Sequence, residues 1–126
     1  MSALVRKLVA VVDDDPRILE SLQDLLESAG YDVVVHASGS SLLASGLASI
    51  DCLITDIGMP GMDGFELRDR VKRLRPEFPV FLVSGRRDLT DDVAAGQGRD
   101  DLFRKPFDGS ALLAAVDRAV RGGVGR

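Results

Sequence analysis

Three consecutive carboxylates, Asp13-Asp14-Asp15, follow directly on the apolar run Leu8-Val9-Ala10-Val11-Val12. Such a run reads as a buried strand, so the chain carries like charges to the edge of its own core. Desolvation strengthens their repulsion. A hard divalent cation with oxygen ligands, Mg²⁺ foremost, relieves it. Asp15 has a separate use, as the N-cap of a helix whose first residue is Pro16. That leaves Asp13 and Asp14 for the cation. Three more polar residues stand where short apolar runs stop: Asp56 after Cys52-Leu53-Ile54-Thr55, Ser84 after Val80-Phe81-Leu82-Val83, and Lys105 after Leu102-Phe103-Arg104. Brought together, these groups suit phosphoryl transfer. A carboxylate such as Asp56 is a competent nucleophile for it. The reaction asks for positioning and charge compensation, which a cation, the Lys105 ammonium and the Ser84 hydroxyl supply to the three phosphoryl oxygens.

The elements that would position these groups follow from the apolar pattern. Leu8–Val12 and Val33–Val35 read as strands, joined by a helix over Pro16–Ala29 with Ile18, Leu19, Leu22, Leu25, Leu26 and Ala29 on one face and Gly30 as its stop. Ser38 or Ser40 caps a short helix carrying Leu42 and Leu43, closed by Gly46. After Asp56, a loop rich in Gly, Met and Pro leads to a helix capped by Asp63, with Phe65, Leu67, Val71 and Leu74 on one face. Asp108 caps a last helix bearing Leu112, Leu113, Val116 and Val120. Five strands alternating with helices predict a parallel α/β sheet of order 2-1-3-4-5 with helices on both faces. In that architecture ligands bind beyond the carboxyl ends of the strands, where Asp13, Asp14, Asp56, Ser84 and Lys105 converge. Between Ser84 and Asp101 the only apolar stretch is Val93-Ala94-Ala95, and Gly96 and Gly98 flank Gln97, so a fourth helix there is expected to be short or frayed.

With 126 residues, 45% apolar, the chain suits one domain, residues 1–126, with a flexible tail over 122–126. A net charge of −4 without a basic stripe disfavours direct nucleic-acid binding. The single cysteine, Cys52, lies in an apolar run, which fits core packing and a reduced, cytoplasmic setting. No apolar run reaches the length of a membrane span. His36, the only histidine, is expected at a sheet end away from the site.

Four motifs, Val11-Val12-Asp13-Asp14-Asp15-Pro16, Asp56-Ile57-Gly58-Met59-Pro60-Gly61-Met62-Asp63-Gly64, Val83-Ser84-Gly85 and Arg104-Lys105-Pro106-Phe107, occur in one order and spacing. In this the chain resembles the response-regulator receiver domains of two-component signalling, of the CheY-like, flavodoxin-like fold. The resemblance implies that Asp56 is the phosphoacceptor, that Asp13, Asp14 and Asp56 with the Gly58 carbonyl hold Mg²⁺, that Ser84 is the switch hydroxyl and that Lys105 binds phosphate. It implies a sensor histidine kinase or histidine phosphotransfer protein upstream, an unknown protein downstream, a possible homodimer, and no enzymatic activity beyond self-phosphorylation and autodephosphorylation. Three positions depart from the family pattern. Gly58 has no side chain to shield an acyl phosphate, and Arg86 is expected to reach over the site instead, the two together setting the phosphoryl lifetime. Leu102 stands where the family's switch uses an aromatic ring, while strand alternation turns the adjacent Phe103 to the other face. An atypical conformational response is expected from this. The alternative is a haloacid-dehalogenase-type phosphohydrolase with Asp13 as nucleophile and Asp15 as acid/base. It leaves Asp56 unexplained, lacks a cap insertion, and meets Pro16-Arg17 where small or β-branched residues are preferred.

Overall fold

The computed structural model describes residues 6–85, 102–105 and 108–124, with side chains of the last segment through 121. In chain order the elements are β1 (Leu8–Val12), α1 (Pro16–Ser28), β2 (Asp32–His36), α2 (Gly39–Ser45), β3 (Cys52–Asp56), α3 (Gly64–Leu74), β4 (Val80–Ser84), β5 (Leu102–Arg104) and α4 (Gly109–Val124). The five strands form one parallel sheet in the order β2-β1-β3-β4-β5, as predicted. The helix expected between Ser84 and Asp101 lies outside the described residues.

Strand alternation divides the core into two layers. Val9 and Val11 of β1, Cys52 and Ile54 of β3, and Phe81 and Val83 of β4 face α1 and α4, where Leu22, Leu26, Leu112 and Val116 cover them. Ala10 and Val12, Leu53, and Val80 and Leu82 face the other way, onto Leu42 of α2 and Leu67 and Val71 of α3. With both faces covered, the central strands carry continuous apolar runs, and every residue of β3 and β4 is buried. Leu102 joins the α2/α3 layer and Phe103 the α1/α4 layer, where its ring meets Phe81 edge-on at 6.2 Å.

The caps fall where the sequence puts them. The Asp15 side chain accepts from the Arg17 amide, Ser38 rather than Ser40 from the Ser41 amide, Asp63 from the Glu66 amide, and Asp108 from the Ser110 amide. Gly30, with φ of +96°, takes the left-handed turn out of α1 that side chains disfavour. Tyr31 follows and is 8% exposed; its hydroxyl donates to Asp117 of α4 at 3.2 Å and ties the two helices of one layer. α4 runs to Val124. No described helix is long and apolar enough to cross a membrane.

Candidate functional site: an acidic cluster at the carboxyl edge of the sheet

Among the described residues, the buried polar side chains are Asp13, Thr55, Asp56 and Ser84, and all sit at or just beyond the carboxyl ends of β1, β3 and β4. Elsewhere the interior is apolar. Burying a charge is costly unless it is paired, so this edge is where the fold accepts destabilising groups.

Asp13 extends the β1 ladder by one step, its amide donating to the His36 carbonyl at 3.1 Å. One of its carboxylate oxygens accepts from the Asp15 amide at 2.9 Å, and the other meets the Lys105 ammonium at 3.0 Å. The same ammonium lies 3.1 Å from Asp56. Lys105 thus bridges β1 and β3 from the end of β5, with its amide held by the Ser84 carbonyl at 2.8 Å. Gly85 leaves room beside the Lys105 methylenes, which a Cβ there would only touch. Asp14 is exposed and makes no hydrogen bond or ion pair among the described residues.

One oxygen from each of Asp13, Asp14 and Asp56 falls within a sphere of contacts no longer than 4.8 Å. With the three ionised and Lys105 charged, the cluster sums to −3 + 1 = −2. Burial and then the neighbouring Asp13 carboxylate push the Asp56 pKa above the ordinary carboxylate value, and Lys105 only partly offsets them. Burial alone would lower the Lys105 pKa, but hydrogen bonds from the ammonium to Asp13 and Asp56 outweigh it, so the ammonium is held more firmly than usual. Beside burial, both shifts carry the mark of the neighbouring carboxylates. Close carboxylate oxygens with a net charge of −2 fit a hard divalent cation.

The structure therefore brings Asp13, Asp14, Asp56 and Lys105 together. Ser84 is fully buried at the end of β4, the neighbouring strand, where Val83 is the register partner of Asp56. Gly58 is exposed two residues past Asp56. Arg86 and Pro106 lie outside the described residues. Asp15 is committed to the α1 cap, where its hydrogen bond from the Arg17 amide lowers its pKa; the phosphohydrolase alternative needs that carboxyl as a proton donor. His36 stays outside the cluster, its Nδ1 2.8 Å from the Ser41 hydroxyl. Sequence reasoning passed over Thr55 and Gly64, which both approach the backbone carbonyl of Asp56. Gly64 closes a motif and Thr55 stands just before it, but neither has a side chain that announces chemistry.

This is a doubly wound parallel sheet with Asp13 and Asp14 just past β1, Asp56 at the end of β3 and Lys105 just past β5. The family model for the response regulator receiver domain matches residues 9–117, and the chain belongs to that family. It is 36% identical over 116 residues to the transcriptional regulatory protein FixJ of Bradyrhizobium diazoefficiens, a match covering 90% of this chain and 56% of FixJ. It is 41% identical over 118 residues to the DNA-binding transcriptional regulator NtrC of Salmonella typhimurium, covering 91% of this chain and 25% of NtrC. The chain thus spans about half and a quarter of the length of these relatives. A receiver domain protein from Clostridium thermocellum superposes with a TM-score of 0.80 at 28% identity, over 93% of this chain and 96% of that one. Full-length FixJ from B. japonicum gives 0.79 at 34% identity, over 93% of this chain and 59% of that one.

Proposed function

We propose that this chain is the phosphoacceptor of a two-component phosphorelay, with Asp56 as the residue phosphorylated. The observation that carries the reading is the Lys105 ammonium held between Asp13 at 3.0 Å and Asp56 at 3.1 Å. In the reaction a carboxylate oxygen of Asp56 bonds to phosphorus as the donor's P–N or P–O bond breaks, and that bonding pair leaves with the donor. Lys105 moves from pairing two carboxylates to pairing an incoming phosphoryl oxygen without leaving its place in the fold. The Ser84 hydroxyl serves a second oxygen. Asp13, Asp14, Asp56 and the Gly58 carbonyl would hold Mg²⁺, which supplies compensation for charge on the transferred group.

The donor is a sensor histidine kinase or a histidine phosphotransfer protein, and the output is a protein–protein contact. This receiver domain works in the cytoplasm and carries no enzymatic activity beyond its own phosphorylation and dephosphorylation. Leu102, packed in the α2/α3 layer, replaces the aromatic ring of the usual switch and makes the conformational response differ from the family's. Amide NMR with and without beryllofluoride reads that response; ordinary shifts through β5 would sink this part. The donor is tested by incubating the protein with each purified histidine kinase of its source organism and timing the transfer. One kinase labelling it far faster than the rest, with the label lost in Asp56→Asn, is the expected result. Equal labelling of Asp56→Asn refutes the assignment.

A further inference from the structure

Two residues with no role in the chemistry meet at one atom, the backbone carbonyl oxygen of the phosphoacceptor. The Thr55 hydroxyl is completely buried and donates to the Asp56 carbonyl at 3.0 Å. From the α3 side, Gly64 approaches the same atom so closely that a Cβ there would run into the Asp56 carbonyl oxygen and come within 2.8 Å of the Ile57 Cα. Cβ atoms do not tolerate such distances, so any side chain at 64 must displace the acceptor's backbone or the start of α3. The peptide after Asp56 is fixed as well. The Ile57 amide donates to the Val83 carbonyl at 2.9 Å, and the Ile57 carbonyl accepts from the amides of Met59 and Gly64 at 3.1 and 2.9 Å.

A buried threonine hydroxyl has to find a partner. Here it spends its hydrogen on the residue next along the chain, so the bond does nothing to join distant parts of the fold. What it does is hold the orientation of the Asp56 carbonyl, and with it the peptide plane from which the Asp56 side chain departs. Gly64 closes off the other side. We infer that Thr55 and Gly64 are positioning residues for phosphoryl transfer: the hydroxyl and the bare Cα clamp the Asp56 carbonyl and so aim the nucleophilic carboxylate at Lys105 and the cation ligands. The inference rests on Asp56 being the phosphoacceptor. A misplacement of about 1 Å in a reacting group can cost about a hundredfold in rate.

The test follows phosphorylation by acetyl phosphate with Mg²⁺, using intact-protein mass spectrometry over time and over donor concentration. Thr55→Val keeps the shape and removes the hydroxyl; Thr55→Ser keeps the hydroxyl. The valine variant is expected to lose at least about threefold in maximal rate with its half-saturating donor concentration unchanged, and the serine variant to recover most of the loss. Gly64→Ala is expected to lose about tenfold or more. Thr55→Val at the wild-type rate, or Thr55→Ser as slow as Thr55→Val, overturns the inference. If Gly64→Ala fails to fold, the threonine pair alone decides. A wild-type protein that takes no label on Asp56 fails the phosphoacceptor reading itself, and the clamp falls with it. A wild type that is labelled there, with all variants unimpaired, fails only the clamp.

Discussion

Asp14 separates what the acidic cluster costs from what it is for. Its side chain is exposed and holds nothing together among the described residues, yet one of its oxygens lies within 4.8 Å of those of Asp13 and Asp56. At that separation, in surroundings close to water, each like-charge pair costs about 1 kcal/mol. Asp14→Asn removes two such pairs, and should therefore leave the metal-free protein as stable as wild type or stabilise it by up to about 2 kcal/mol. The response to Mg²⁺ should change in the opposite sense. At a concentration about 100-fold above its dissociation constant a ligand stabilises the folded state by about 2.7 kcal/mol. For a domain of this size that raises the thermal midpoint by roughly 10 °C. A site weakened tenfold by loss of one carboxylate gives up about half of that gain, roughly 5 °C. Thermal unfolding of both proteins, with chelator and across a Mg²⁺ titration at neutral pH, measures the two effects separately. An equal Mg²⁺-induced shift in wild type and variant would refute the role given to Asp14. A large loss of stability in the metal-free variant would refute the claim that the residue serves no structural end.

Other predictions address the remaining links. Burial, followed by the charge of Asp117 and the hydrogen bond to it, raises the Tyr31 pKa to about 12 from an ordinary 10.0. Because the folded value lies above the unfolded one, this contribution to stability is complete below pH 10 and is lost as pH rises toward 12. Relative to Tyr31→Phe, wild type should lose roughly 2 kcal/mol across that window in denaturant unfolding; a constant difference contradicts the assignment. Gly58 is exposed two residues past Asp56. Gly58→Arg is expected to lengthen the life of the phosphorylated protein several-fold by shielding the acyl phosphate from water, and an unchanged decay rate would count against this. Leu26 is wholly buried in the α1/α4 layer, and Leu26→Ala should cost about 2–5 kcal/mol in unfolding free energy; a cost under about 1 kcal/mol would contradict close packing there.

Much of this was legible in the sequence because the fold is built from short-range signals that agree. Continuous apolar runs such as Val80–Val83 mark strands covered on both faces, and Asp15, Asp63 and Asp108 each announce a helix start by a local hydrogen bond that needs no tertiary context. The convergence of Asp13, Asp56 and Lys105 followed from parallel topology, which sends every strand's carboxyl end to one edge. Illegible were contacts made across the chain by groups of no special type. That Tyr31 would find Asp117, 86 residues away, depends on how α4 lies against α1. That Gly64 must be bare depends on how near α3 starts to the end of β3, which no local pattern encodes. The two-sided hold of Lys105 on Asp13 and Asp56 was also beyond the sequence, which assigns the lysine to phosphate and does not say what occupies it beforehand.

The central claim is that the acidic edge exists to make Asp56 a phosphoryl acceptor. Borohydride reduction of the protein after incubation with acetyl phosphate and Mg²⁺, followed by peptide mapping, locates the acyl phosphate directly. The reduced aspartyl residue is expected at Asp56 and at neither Asp13 nor Asp14. Reduction found at Asp13 with Asp56 untouched would contradict it.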